Sequence, residues 1–472
     1  MAEFDLAIIG AGAAGLSVAA VAAQLGLRVA LIERGRMGGD CLNTGCVPSK
    51  ALLAAAHAAL DARAAGRFGL CISAPEINWP AVQAHVHGVI AAIAPMDSAA
   101  RFTALGATVL RGEARFVARD ALEIDLPDGR RHLTARKIVI AAGSRAALPP
   151  IPGLAELPYL THETLFDLDT RPAHLLILGG GPAGLEMAQA HAGLGCRVTL
   201  IEAGRIAGRE DHELTDGLRT ALTKNGIELL ENAHIIRADP GPAMRLQDGR
   251  RIEGTHLLVA AGRQPNIESL GLEAGCVRAG PAGIATDAGL RSLTNRRVFA
   301  VGDIADPPGI GPCAFTHVAS YHASIVIRRA LFRLPAHATY AALPRVIYTD
   351  PELAQTGLTE TEARAAGHDI RILRWPLAEN DRAQAERRPE GLVKLVTTKR
   401  GRVLGAGILA PHAGEMIALW TLAIAQRTPL SALAGLIVPY PTLAEAGKRA
   451  AGTFFMARLF SNTTKRLVRL LV

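Results

Sequence analysis

Cysteine is scarce in these 472 residues: there are six, scattered singly except for the close pair Cys41 and Cys46. So thin a supply excludes a disulfide-stapled secreted framework, which belongs to short, cysteine-dense chains. No basic leader or small-residue cleavage site precedes the first apolar run, so no secretory signal is expected and the cytoplasm is the expected compartment. That run, FDLAIIGAGAAGLSVAAVAAQLGLRVALIE, is long enough for a membrane span, but Gly10, Gly12 and Gly15 divide it into strand, turn and helix. Acid is missing from Lys448 to Val472, where six basic residues hold most of the net charge of +8. The remainder is nearly balanced, which speaks against a general nucleic-acid-binding surface. The last segment, TKRLVRLLV, reads as a short basic amphipathic helix. It would pack on the subunit or its partner, or lie on an anionic membrane surface.

Apolar residues make up 49% of the chain, enough for globular folding, and its length suggests about three domains. Two segments repeat one pattern: LAIIGAGAAGLSVAAVAAQLGLRVALIER (6–34) and LLILGGGPAGLEMAQAHAGLGCRVTLIEAG (175–204). Each reads as buried strand, glycine turn, Ala-rich helix and second strand, the unit of a parallel sheet with right-handed crossovers. Helices are predicted over 49–65 and 79–105, and an antiparallel excursion over 114–133. The Pro-rich loop LPPIPGL (148–154) marks a boundary. HLLVAAGRQPN (256–266) echoes KIVIAAGS, and RRVFAVGDIAD (296–306) is a further buried strand ending in a glycine-acid turn. From about Pro344 strands and helices alternate as in an α+β domain.

Gly10-x-Gly12-x-x-Gly15 follows a strand, opens a helix, and is trailed by Glu33 eighteen residues beyond Gly15. Such glycines allow a tight turn, close approach to a pyrophosphate and close helix–strand packing, while the helix N-terminus offers amide donors. Glu33 is placed to accept from ribose hydroxyls. Gly179-x-Gly181-x-x-Gly184 repeats the arrangement, with Glu202 at the same offset. Two such sites suggest two cofactors, one tightly held and one exchanging. Glu202 would repel a 2′-phosphate, which favours NADH, while Arg205 close by keeps NADPH open.

Residues five apart on a regular helix have Cα atoms roughly 8–9 Å apart, whereas a disulfide needs under about 7 Å. If Cys41 and Cys46 bridge, Asn43-Thr44-Gly45 must therefore leave helical geometry. Cys46 would then sit near a helix N-terminus with Lys50 one turn on, and both features favour a thiolate. Two buried thiols or a metal site are the bland alternatives, but no matching Cys/His pair completes a metal site nearby. Cys71, Cys196, Cys276 and Cys313 read as core or incidental.

Here the chain resembles the flavoprotein disulfide reductases, which include dihydrolipoamide dehydrogenase, glutathione reductase and mercuric reductase. The resemblance spans essentially the whole chain, and GGDCLNTGCVPSK (38–50) is its most specific element. It implies an α/β fold of two Rossmann-like domains, for FAD and NAD, plus a C-terminal α+β dimerisation domain. The implied division is 1–150 and 280–343 for FAD, 151–279 for NAD(P)H, and 344–472 for the interface domain and basic tail. FAD would rest on Gly10, Gly12, Gly15, Glu33, Gly143, Gly302 and Asp303. NAD would rest on Gly179, Gly181, Gly184, Glu202 and Gly262. Lys50 would lie by the flavin and pair with Glu186. Cys46 would be the thiolate against the flavin and Cys41 the exposed interchange thiol. A homodimer is implied, each C-terminal domain completing its partner's active site.

Two departures narrow the activity. Disulfide-using members end in His-Pro-Thr-x-x-Glu, whereas here Tyr440-Pro441-Thr442-Leu443-Ala444-Glu445 occupies the place. A tyrosine, with a reference pKa near 10, does not shuttle protons near neutrality as histidine does. Mercuric reductases carry a similar tyrosine, and RGEARF, PPIPGL and YTDP resemble that branch. Yet no cysteine follows Cys313, so the vicinal pair that hands Hg(II) inward is missing. The expectation is an enzyme passing electrons from NADH through FAD and Cys41–Cys46 to a thiol-reactive, disulfide or metal acceptor. The alternatives are a dihydrolipoamide dehydrogenase with a lipoyl partner, and a membrane-associated flavoprotein reducing a quinone. His317, in FTHVAS, reads as structural rather than catalytic.

Overall fold

The computed structural model describes residues 2–309, 311 and 313–472. Phe4–Ile9 and Val29–Glu33 are parallel strands joined by the helix Ala13–Gln24. Their apolar runs are continuous because both faces of the sheet are covered. Gly129–Ile140 serves two purposes. Its first half closes an antiparallel meander with Ala121–Leu126 and Glu113–Ala118, and its second half runs parallel to Phe4–Ile9. Val298–Ala300 returns across much of the chain to pair with Ile138, Val139 and Ile140 in the same seven-stranded sheet. The helix Thr316–Val326 then packs on Ala13–Gln24, so two distant segments share one core.

The second repeat builds a parallel sheet in the order Glu228–Leu230, Arg197–Ile201, His174–Leu178 and His256–Val259. Its crossover helix, Pro182–Gly193, lies against the helix Cys46–Ala64 of the first unit. Beyond residue 343, five strands form an antiparallel sheet with Glu352–Gly357 and Val403–Ala410 at its middle. Helices Ala413–Ala425 and Glu445–Leu459 cover this sheet. This is the α/β architecture with a C-terminal α+β unit that the two fingerprints and the alternation beyond Pro344 imply.

Two local expectations are corrected. The stretch 79–105 is not one helix: Trp79–Ile93 gives way to a tight turn at Ala94–Asp97 and restarts as Ala99–Ala104. Pro95 cannot extend the first helix, and the Ser98 hydroxyl accepts from the Arg101 amide to cap the second. The helix expected from residue 49 begins at Cys46, with Gly45 as its non-helical cap.

Candidate active site

A groove of about 540 Å³ runs along the C-terminal edge of the first sheet, from the Gly10–Gly12 turn past Glu33, Cys41 and Cys46 to Gly143, Gly302 and Asp303. Gly10 turns at φ +103, where a Cβ would stand 2.3 Å from the Ala141 carbonyl oxygen, so only glycine passes there. Gly12 differs in kind. The nearest described atom to a Cβ on it is the Gly39 Cα at 3.8 Å, and no described side chain caps the helix that begins beside it. A free helix N-terminus under an open glycine is a cradle for a pyrophosphate. Glu33 is pinned by its own loop: its two carboxylate oxygens accept from the Ala11 amide (2.7 Å) and the Gly35 amide (2.6 Å).

The second fingerprint is built alike. Gly179 turns at φ +110, and a Cβ on Gly184 would stand 2.0 Å from the Gly179 carbonyl oxygen. Around Gly181 no described atom lies within 4 Å of a Cβ position. Glu202 accepts from the Gly180 and Gly204 amides at 2.7 and 2.8 Å, while Arg205 is engaged by Asp216 at 2.6 Å. Gly262, at φ +140, ends this sheet as Gly143, at φ +65, ends the first.

Between the fingerprints lies the sulfur pair. Gly39–Asn43 is a short helix, and Thr44 and Gly45 break it before Cys46 starts the next. The break is one residue shorter than the bridging argument requires, since Asn43 still closes the first helix. Its side-chain amide donates to the Met37 and Gly39 carbonyls and ties the turn down. Both cysteines stand as thiols. Cys41 donates to Cys46, and that hydrogen bond is the largest cause holding the Cys46 thiol down to about 6. Burial opposes the shift, while the Thr316 hydroxyl, 3.1 Å away, and the Lys50 ammonium support it. The same contact, with burial, pushes the Cys41 thiol up. Both line the groove, and Cys46 is the more exposed of the two. Cys41, expected as the exposed thiol, is half-buried where the groove meets a second cavity of about 380 Å³, lined also by Ser17, Asp97, Arg101 and Ser320.

Lys50 and Glu186 form an ion pair at 2.6 Å between the two fingerprint units. Glu186 is 5% exposed and also accepts from the Tyr348 amide at 3.1 Å, while the Lys50 ammonium sits 4.4 Å from the Tyr348 ring centre. Lys50→Met would leave that buried carboxylate with the Tyr348 amide alone. A loss of about 1–3 kcal/mol is expected, together with a Cys46 midpoint above that of the wild type, read from the pH dependence of thiol alkylation in reduced enzyme. An unmoved midpoint would show that the ammonium does not hold the thiolate.

Several site residues escaped the sequence reading. Arg263 pairs with Asp40, donates to the Ser144 hydroxyl at 2.7 Å, and the Ser144 hydroxyl donates to Asp303 at 2.6 Å. His162 adds a contact to Asp40 at 3.2 Å. Burial pushes the Asp40 carboxyl up, but His162 and Arg263 together outweigh it and hold it below the usual range. Thr316 was missed one residue from His317. That histidine donates to the Pro344 carbonyl at 3.0 Å and stacks on Phe315, a contact that ties the start of helix Thr316–Val326 to the strand Pro344–Ile347. Tyr440 and Glu445 have partners of their own within the subunit. The Tyr440 hydroxyl donates to Asp381 at 2.6 Å, which pushes its pKa up, and Glu445 accepts from Arg449 at 2.8 Å.

Two dinucleotide cradles flanking a polarised dithiol define a nicotinamide-driven thiol–disulfide enzyme. The chain belongs to the pyridine nucleotide-disulphide oxidoreductases: the family model matches residues 4–325, and the family's dimerisation domain matches residues 343–451. It is 39% identical over 466 residues to a mercuric reductase of Streptomyces lividans, covering 96% of each chain. It is 32% identical to a dihydrolipoyl dehydrogenase of Geobacillus stearothermophilus, covering 95% of this chain and 96% of that one. Among solved structures it is similar to the Cu(II) complex of the HOCl-induced flavoprotein disulfide reductase RclA of Escherichia coli. That match has a TM-score of 0.85 and 27% identity, over 96% of this chain and 100% of the other. The chain is thus a flavoprotein oxidoreductase that uses FAD and NAD(P)H, and the open glycine cradles fit both groups.

Proposed function

We propose that this enzyme is a mercuric-reductase-like flavoprotein that takes electrons from NADH and delivers them through Cys41 and Cys46 to a soft, thiol-reactive acceptor. The observation that carries the reading is the placement of the pair: Cys46 opens a helix 3.1 Å from the Thr316 hydroxyl, and Cys41 lines both cavities, an arrangement that holds the Cys46 thiol down and pushes the Cys41 thiol up. When bound, FAD supplies the two-electron relay between the nicotinamide and the sulfurs. Cys46 holds its negative charge at neutral pH because Cys41, Thr316 and Lys50 all favour the anion. Cys41 meets the acceptor from the second cavity. With a disulfide acceptor its sulfur bonds to one acceptor sulfur while the other leaves with the electron pair. Cys46 then displaces the first from Cys41 and closes the intramolecular bridge. With a soft cation the two thiolates are ligands that hold it for reduction.

NADH is preferred over NADPH because the Gly180 and Gly204 amides hold the Glu202 carboxyl group as a hydrogen-bond acceptor at the ribose end and Arg205 is committed to Asp216. The homodimer would bring Tyr440, 68% exposed, and its neighbour Ile437, 98% exposed, against the other copy. We place the enzyme in the cytoplasm, where a working dithiol and four further unpaired cysteines stay reduced.

The test is NADH oxidation by the FAD-loaded dimer with Hg(II), Cu(II), lipoamide and a water-soluble quinone in turn. Metal-dependent turnover lost on Cys41→Ser supports the reading. Mercuric reductase names the 39% relative and Cu(II) a ligand of the structural neighbour, which is why these two ions are chosen. Dihydrolipoamide:NAD⁺ turnover at the level of histidine-bearing relatives would overturn it in favour of a lipoamide enzyme. Quinone turnover unaffected by Cys41→Ser would overturn the dithiol route.

A further inference from the structure

No residue of the C-terminal helix Asn462–Leu471 is buried within its subunit. Its sides are sharply divided. Leu467, Leu470 and Leu471 follow one another at helical spacings of three and four, with Val468 at their edge, and are 50–84% exposed. Lys465, Arg466 and Arg469 occupy the other side, again at spacings of three and four. The Ser461 side chain caps the helix by accepting from the Thr464 amide at 3.2 Å, so the ten residues start at a defined point.

We infer that this helix is a peripheral anchor that lays its leucine side into an anionic lipid surface. Three observations choose that occupant. Between residue 446 and the end there is no acidic side chain, so the charge of Lys465, Arg466 and Arg469 matches a negative surface. Further apolar side chains stand exposed at the end of the preceding helix, where Met456, Leu459 and Phe460 are about half exposed. Finally, the match to the family's dimerisation domain stops at residue 451, before the helix begins. No helix among the described residues is long and apolar enough to cross a membrane, and the contact is therefore with one leaflet. A ten-residue helix with three cations binds weakly and reversibly, and two copies in a dimer would multiply the attachment.

The experiment is co-sedimentation of the full-length FAD-loaded dimer with vesicles of phosphatidylcholine alone or mixed with phosphatidylglycerol. Binding to the mixed vesicles only is expected, weakening as salt is raised. Lys465→Glu, Arg466→Glu and Arg469→Glu together should lower it at least about tenfold, and so should Leu467→Ser with Leu471→Ser. NADH-dependent activity in solution should be unchanged in all of them. Absence of binding to anionic vesicles would overturn the inference, as would equal binding to neutral ones. Conversion of the dimer to monomer on deleting residues 462–472 would assign the helix to the partner subunit instead.

Discussion

Cys46→Ser should abolish acceptor reduction, by on the order of 10³-fold or more, while leaving FAD and NADH binding intact. Its neighbour Cys41→Ser should lose turnover as completely but keep the anion at position 46. The two differ because the pair is asymmetric: Cys46 receives a hydrogen bond from Cys41 and lies near Thr316 and Lys50, whereas Cys41 gives its proton to that contact and is pushed up. An anaerobic NADH titration separates them. Wild type should develop long-wavelength absorbance at two electrons, Cys41→Ser should show it without reductant, and Cys46→Ser should lack it. The sign of the pH dependence follows from the downward shift. The anion persists above about 6 and is lost as pH falls through that value. Cys41→Ala, which removes the donor, should move the midpoint upward, and Cys41→Ser, which keeps a hydroxyl, should move it less. Turnover of Cys46→Ser within a few-fold of wild type would end the dithiol account.

The parts of this site that were legible in the sequence are those held by local spacing. GGDCLNTGCVPSK carries two sulfurs, a glycine break and a lysine within one short stretch, and its geometry follows from helix dimensions. The fingerprints are legible for the same reason: strand, turn and helix are consecutive, and the glycines fall at fixed offsets between them. The network at Asp40 is different in kind. Its members come from the cysteine turn, the end of the first sheet, the loop after residue 160, the second fingerprint unit and the returning strand. Arg263 and Asp40 are 223 residues apart. No periodicity brings such residues together; only the return of Val298–Ala300 to the first sheet and the packing of the two units do so. The broken helix at Ala94–Asp97 failed for a smaller reason. Apolar spacing continued through Pro95, and the proline and the Ser98 cap were the signals that should have outweighed it. The tail was legible as an amphipathic helix, whereas the absence of any buried residue along it could come only from the fold.

Gly184→Ala and Gly181→Ala, three residues apart, should fail in different ways. A methyl at Gly184 would overlap the Gly179 carbonyl oxygen at 2.0 Å, and that atom is backbone inside the tight turn, so helix Pro182–Gly193 must move off its strand. A cost of about 3 kcal/mol is expected, with early thermal unfolding and loss of NADH saturation, while FAD, which we assign to the separate first fingerprint, should be retained. Gly181 has extended backbone at φ −77 and ψ 179, and no described atom lies within 4 Å of a Cβ there, so alanine meets neither strain nor overlap. Gly181→Ala should therefore fold like wild type, with a melting temperature close to it. Its methyl would nevertheless stand where a pyrophosphate approaches the helix N-terminus, and the KM for NADH should rise about tenfold with little change in kcat. An unchanged KM in this variant would remove the second fingerprint from nucleotide binding. A folding defect in it as large as that of Gly184→Ala would mean that the space beside Gly181 belongs to the protein's own packing.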